Sequence, residues 1–140
     1  MTYLIDTNVW SELRSRGRAD SNVRTWAERA DPAEMYLSVV TVFELERGVL
    51  LIERRDSQQG LRLRRWLEQH VLEPFEGQIL PIDTAIARRC AALHVPDPRP
   101  ERDALIAATA LAHGLTVVTR NTNDFAPMGV ALRNPWLSSD

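Results

Sequence analysis

Lysine is missing from this sequence: every one of its 17 basic residues is arginine. Two mechanisms go with it, because a Walker-type phosphate loop needs a lysine on the phosphates and Schiff-base chemistry needs an amine. Cysteine is nearly missing as well. Cys90 stands alone and has no internal disulfide partner, and the three histidines, His70, His94 and His113, are too far apart for zinc-ligand spacing. No apolar run approaches the roughly 18 residues a membrane span needs, and Asp6 interrupts the N-terminal apolar stretch before a secretory leader pattern can develop. These absences predict a soluble protein of the reducing cytoplasm with no membrane partner.

What is present is the usual globular mixture. The 140 residues are 44% hydrophobic and 26% charged, with a net charge of −2, enough chain to bury a core as one domain over 1–140. No repeat, low-complexity tract or interdomain linker divides it. The arginines gather at 14–29 and again in "ERRDSQQGLRLRR", 53–65. Such clusters are more often solvated helix faces than binding sites, yet arginine suits bidentate phosphate contacts, so a nucleic-acid partner stays open.

Hydrophobic periodicity alternates along the chain. Strands are predicted at 2–5, at "MYLSVV" (35–40), at "QILPI" (78–82), at "LTVV" (115–118) and, as an edge strand, at "VALR" (130–133). Helices are predicted over 8–15, 21–30 with Ser21 as N-cap, 41–55, 57–73, 83–94 and 101–113, the last framed by Pro100 and Gly114. Strands separated by helices imply an α/β/α sandwich with a mostly parallel sheet. In the 41–55 helix, Val42, Leu45, Val49 and Ile52 form the core stripe, and Glu44 lies on its flank with Thr41 and Gly48, a glycine that would let another element approach. Phe43 and Leu50 form a second apolar pair on the opposite side, a surface for a dimer partner or an amphipathic segment. Trp10, Trp26 and Trp66 fall on helices and are expected mostly in the core.

The carboxylates follow from this scaffold. Asp6 ends the first strand, Glu44 lies just after the second, Asp103 is in the first turn of the 101–113 helix and Asp124 follows the "LTVV" strand. Carboxyl ends of strands are where ligands bind in open α/β sheets. Taken singly, each acid has a simpler use: a helix cap for Asp6, the helix dipole for Asp103, solvent for Glu44 and an Asx-turn for Asp124. Taken together, four acids near converging strand ends repel one another unless a cation lies between them. With oxygen ligands only, that cation is hard: Mg²⁺, with Mn²⁺ as a substitute.

The segments "LIDTNVWSEL", "LSVVTVFELERGV" (37–49), "RDALIAATALAHGLTVVTRNTNDF" (102–125) and "NPW" (134–136) together resemble the PIN-domain ribonuclease toxins of the VapC/FitB kind, over nearly the whole chain. The resemblance implies a Rossmann-like fold and a Mg²⁺-dependent endoribonuclease serving as the toxin of a type II toxin–antitoxin pair. It also implies a homodimer, a VapB/FitA-type antitoxin forming a higher-order complex with it, and DNA contact only through that antitoxin. It assigns metal binding and catalysis to Asp6, Glu44, Asp103 and an acid of "TRNTNDF", for which Asp124 is the choice. Many members carry Asp where this chain has Asn121, which is a departure. Thr7, Asn8, Thr119, Arg120 and Asn121 are supporting candidates, Arg120 for a substrate phosphate.

Phosphodiester hydrolysis asks for such residues on its own account, since carboxylate-held cations supply both an activated water and charge over phosphorus. A haloacid-dehalogenase-type phosphatase also begins with a strand and Asp, but it needs a second Asp two residues on, where Asn8 stands, and usually a lysine. A binding module whose acids only hold the fold is the non-enzymatic alternative.

Overall fold

Side chains of a strand point alternately to the two faces of its sheet, and here both faces are apolar. In β1 (Tyr3–Ile5) Leu4 and Ile5 are buried in opposite layers, and Val117 and Val118 of β4 (Thr116–Val118) repeat the pattern. A strand buried on both sides needs helices on both sides. The computed structural model describes residues 1–15 and 17–138; position 16, within the first arginine cluster, and positions 139–140 lie outside the described residues.

With β2 (Met35–Ser38), β3 (Ile79–Leu80) and β5 (Leu132–Arg133), the strands form one sheet in the order β3-β2-β1-β4-β5. All four pairings are parallel. One face carries α1 (Thr7–Leu13), α2 (Ser21–Arg29), α3 (Val39–Arg55) and α4 (Ser57–Trp66), whose Val9, Val23, Leu45 and Val49 pack with Ile5, Leu37 and Val118. The other carries α5 (Thr84–Leu93), α6 (Glu101–His113) and α7 (Thr122–Phe125), whose Ile86, Ile106 and Phe125 pack with Leu4 and Val117. This is the α/β/α sandwich expected, with a sheet parallel throughout. From β1 the chain moves to one side of the sheet for β2 and β3 and returns on the other for β4 and β5. The switch point where ligands bind therefore lies at the carboxyl ends of β1 and β4.

Several boundaries differ from expectation, and capping explains the clearest. Ser38 Oγ accepts from the Val40 amide at 3.0 Å and starts α3 at Val39, so β2 ends two residues before the predicted 40. Asp20, not Ser21, caps α2 through the amides of Asn22 and Val23. The predicted 57–73 helix is α4 followed by a π-helical turn over Leu67–Leu72. Trp10 is buried, while Trp26 and Trp66 are half-buried against the same core. Thr41, expected on the flank of α3, is fully buried.

The close helix approach expected at Gly48 occurs instead at Gly60. A Cβ on Gly60 would lie 2.6 Å from the Glu53 Cα, so α4 packs backbone against backbone on α3, whereas Gly48 has open space around it. Arg64 secures the same pair of helices by donating to both carboxylate oxygens of Glu46, at 2.7 and 2.6 Å. Gly60→Ala is therefore expected to lower stability by about 1–2 kcal/mol, because backbone has to shift. Gly48→Ala should raise it by about 0.5–1 kcal/mol through helix propensity alone. Urea unfolding of both variants checks the opposite signs.

Candidate functional site

Asp6 is both a cap and a site residue. Its amide donates to the Val118 carbonyl at 2.9 Å, carrying the β1–β4 pairing one residue past the strand, and its extended backbone then turns into α1. An ordinary cap serves the second or third helical amide. Asp6 accepts instead from the first, Thr7, at 2.7 Å, and its carboxylate is fully buried at the switch point. Its Oδ2 accepts from the Thr119 hydroxyl at 2.8 Å. That hydroxyl in turn accepts from the Asn121 amide at 3.0 Å and the Asn8 side chain at 3.2 Å, tying the segment after β4 to the start of α1.

Glu44 is one turn into α3, and Asp103 is in the first turn of α6, where the helix dipole favours an acid. The side chain that unites them is Arg102. Its Nε donates to Glu44 Oε2 at 2.6 Å, Nη1 to Asp103 Oδ1 at 2.7 Å, and Nη2 to both Asp6 Oδ1 at 2.6 Å and Glu44 Oε1 at 2.7 Å. The Thr7 hydroxyl donates to Glu44 Oε1 at 2.6 Å and lies 3.1 Å from the buried Thr41 hydroxyl. The order of acids along the chain thus becomes one cluster drawn from β1, α3 and α6.

Charge and burial compete within it. Burial pushes the Glu44 carboxyl up, but hydrogen bonds from Arg102 and Thr7 and the Arg102 charge outweigh it, leaving Glu44 below the usual range. Asp103 goes the other way: burial, with help from the charges of Asp6 and Asp124, overcomes the Arg102 hydrogen bond and holds it above that range. Burial alone would lower Arg102, yet the hydrogen bonds to Glu44 and Asp6 drive it upward, so the guanidinium stays charged.

The cluster opens into a cleft of about 520 Å³ lined also by Asn8, Glu12, Arg120, Asn121 and Trp136. Arg120 is exposed, with its guanidinium carbon 5.2 Å from the centre of the Trp136 ring. Of the sequence-predicted residues, Asp6, Glu44, Asp103, Thr7, Asn8 and Thr119 come together, and Arg120 and Asn121 border them. Asp124 is on α7, exposed and outside the cleft lining, though its charge reaches Asp103. Sequence reasoning missed Arg102, Thr41 and Trp136. The signal for Arg102 was its place beside Asp103 in the first turn of a helix, where an arginine opposes the dipole and needs another reason to be there.

The PIN domain family matches residues 3–129. Toxin FitB of Neisseria gonorrhoeae is 40% identical over 139 residues, covering 95% of this chain and 97% of that protein. VapC ribonuclease Y4jK of Sinorhizobium fredii is 35% identical over 138 residues, covering 95% and 96%. Among solved structures, FitAB bound to an IR36 DNA fragment superposes with a TM-score of 0.91 at 34% identity, covering 99% of each chain.

Thr119 is the buried hinge of the polar network, which makes its hydroxyl separable from its bulk. Thr119→Val keeps the shape but leaves the Asn121 amide without its partner and Asp6 Oδ2 with only the 3.5 Å contact from Asn8, so it should cost about 1–3 kcal/mol. Thermal unfolding against wild type measures it; an unchanged melt would remove Thr119 from the network.

Proposed function

The chain belongs to the PIN-domain family, and on that premise we propose that it is a Mg²⁺-dependent endoribonuclease acting in the cytoplasm as the toxin of a type II toxin–antitoxin pair. The observation that carries this reading is the convergence of Asp6, Glu44 and Asp103, from three separate elements, on one positive charge inside an open cleft. Oxygen donors around a cation position suit a hard divalent ion, and the guanidinium of Arg102 stands in for such a charge. The ribonuclease name of the Sinorhizobium relative and the toxin name of the Neisseria relative support the same activity.

Asp6, Glu44 and Asp103 would hold Mg²⁺, or Mn²⁺ in its place, and Asp124 would add the negative charge that Asn121 lacks. When bound, the ion supplies charge over phosphorus and an acidified water. The protein's own groups do the rest. Thr7 and Thr119 fix the carboxylates of Glu44 and Asp6 by hydrogen bonds. Asn8 holds Thr119, and the exposed Arg120 meets a substrate phosphate from the cleft wall. Asn8 leaves no second acid two residues after Asp6, so the phosphatase alternative lacks its general acid. The binding-module alternative is separated by assay.

Partners follow from the outer face of α3 and α4. Phe43, Leu50, Leu51 and Leu61 are each at least half exposed, an apolar surface suited to a second copy of the chain and to an amphipathic antitoxin segment of the VapB/FitA type. DNA would be reached only through that antitoxin; the solved FitAB relative is bound to a DNA fragment, which supports a DNA-bound complex. Among the described residues no helix is long and apolar enough to cross a membrane.

Asp103→Asn should keep the fold and lose more than about a hundredfold in Mg²⁺-dependent cleavage of single-stranded RNA, since even outer-shell losses at metal sites cost 10–100-fold. Gel assays on the purified protein, with circular dichroism as control, decide it: full activity in the variant would remove Asp103 from the site, and no cleavage by the wild type would return the protein to the binding-module class. Asp124→Ala should lose more cleavage than Asn121→Ala, with part of the loss recovered at high Mn²⁺. The reverse order would make the Asn121 amide the fourth ligand.

A further inference from the structure

We infer that Arg102 and the divalent cation are alternative occupants of one site, so that Arg102 positions the carboxylates of the metal-free protein and is displaced when the metal binds. This rests on reading the cluster as a metal centre. Asp6, Glu44 and Asp103 offer six oxygens, and four of them accept from Arg102 at 2.6–2.7 Å. The fifth, Asp6 Oδ2, accepts from Thr119. Only Asp103 Oδ2 carries no hydrogen bond among the described residues.

Space and charge both forbid joint occupancy. Mg²⁺ binds oxygen at about 2.0–2.1 Å in a near-octahedral shell, and nitrogens already in contact with the same oxygens fill the positions it would take. Two cations sharing those oxygens would also repel at close range. Accordingly, among the described residues no three acidic, histidine or cysteine side chains are grouped to hold a metal as they stand. The guanidinium keeps their carboxylates around itself.

Arg102 also has a way out. About a third of its side chain is exposed (32%), and it borders two clefts, the acidic one and a neighbouring one of about 570 Å³ lined by Val39, Phe43, Arg47, Glu101 and Leu105. Glu101, on the same helix, offers a counter-charge there. The backbone of α6 need not move, because the arginine side chain has enough torsions of its own. Metal affinity is then reduced by the fraction of protein in which Arg102 is already withdrawn.

Binding of Mn²⁺ by electron paramagnetic resonance or calorimetry, together with melting curves, tests this without any assay of activity. R102A is expected to bind Mn²⁺ at least about tenfold more tightly than wild type, as follows if the withdrawn state is a tenth of the population or less. Without metal it should melt lower, because three crowded acids lose their counter-ion, and saturating Mn²⁺ should close that gap. R102K keeps the charge but not the fork that spans three carboxylates, so its affinity should fall between the two; it also serves should R102A not fold without metal. Mn²⁺ binding in both variants equal to or weaker than in wild type, with wild type itself binding, overturns the competition and leaves the metal centre standing. No Mn²⁺ binding by any of the three proteins overturns the metal reading, and the competition with it.

Discussion

Four carboxylate oxygens on a single guanidinium form the contact on which the carboxyl end of this sheet depends. Asp6 and Asp103 are buried where water cannot screen them, and like charges so placed cannot all remain ionised without a cation. Arg102 supplies it and in doing so joins the end of β1, the first turns of α3 and the start of α6. A buried ion pair of this kind adds little to stability relative to an apolar filling, but removing one partner leaves the others uncompensated. Its value lies in where it puts the acids.

The sheet makes that placement possible. Because β1 is central and the strand order reverses between β1 and β4, the segments leaving both strands diverge to opposite faces and open a crevice between them. Asp6 and Thr119 are the first residues beyond those two strands, and their hydrogen bond spans the crevice at its floor. Glu44 arrives from the helix layer on one face and Asp103 from the layer on the other. The acids are therefore held by both layers of the sandwich.

Much of this was readable from the chain. An apolar strand followed at once by an acid marks Asp6, because burial and charge change abruptly there, and an acid in the first turn of a helix framed by Pro100 and Gly114 marks Asp103. The extent of β2 was not readable: Val39 and Val40 have strand-like side chains, and only the Ser38 cap shows that the helix has begun. The two helical glycines look alike in sequence, and a neighbour's backbone distinguishes Gly60 from Gly48. Arg102 was hidden for a different reason. Its place in the first turn of a helix sets it apart from the other sixteen arginines but does not say what it meets, and its turning inward depends on residues 58 and 96 positions away in the chain. Asp124 shows the converse limit, since closeness in sequence to the strand end did not place it in the cleft lining.

Phe43 and Glu44 are consecutive residues of α3, the first 59% exposed on the outer apolar face and the second half-buried in the cleft. Neighbours on a helix point only about 100° apart, so the exposed apolar face and the acid share a few ångströms of one backbone. A change that rotates or slides this first stretch of α3 therefore moves both at once, so the shape of the outer face and the position of the acid in the cleft are set together.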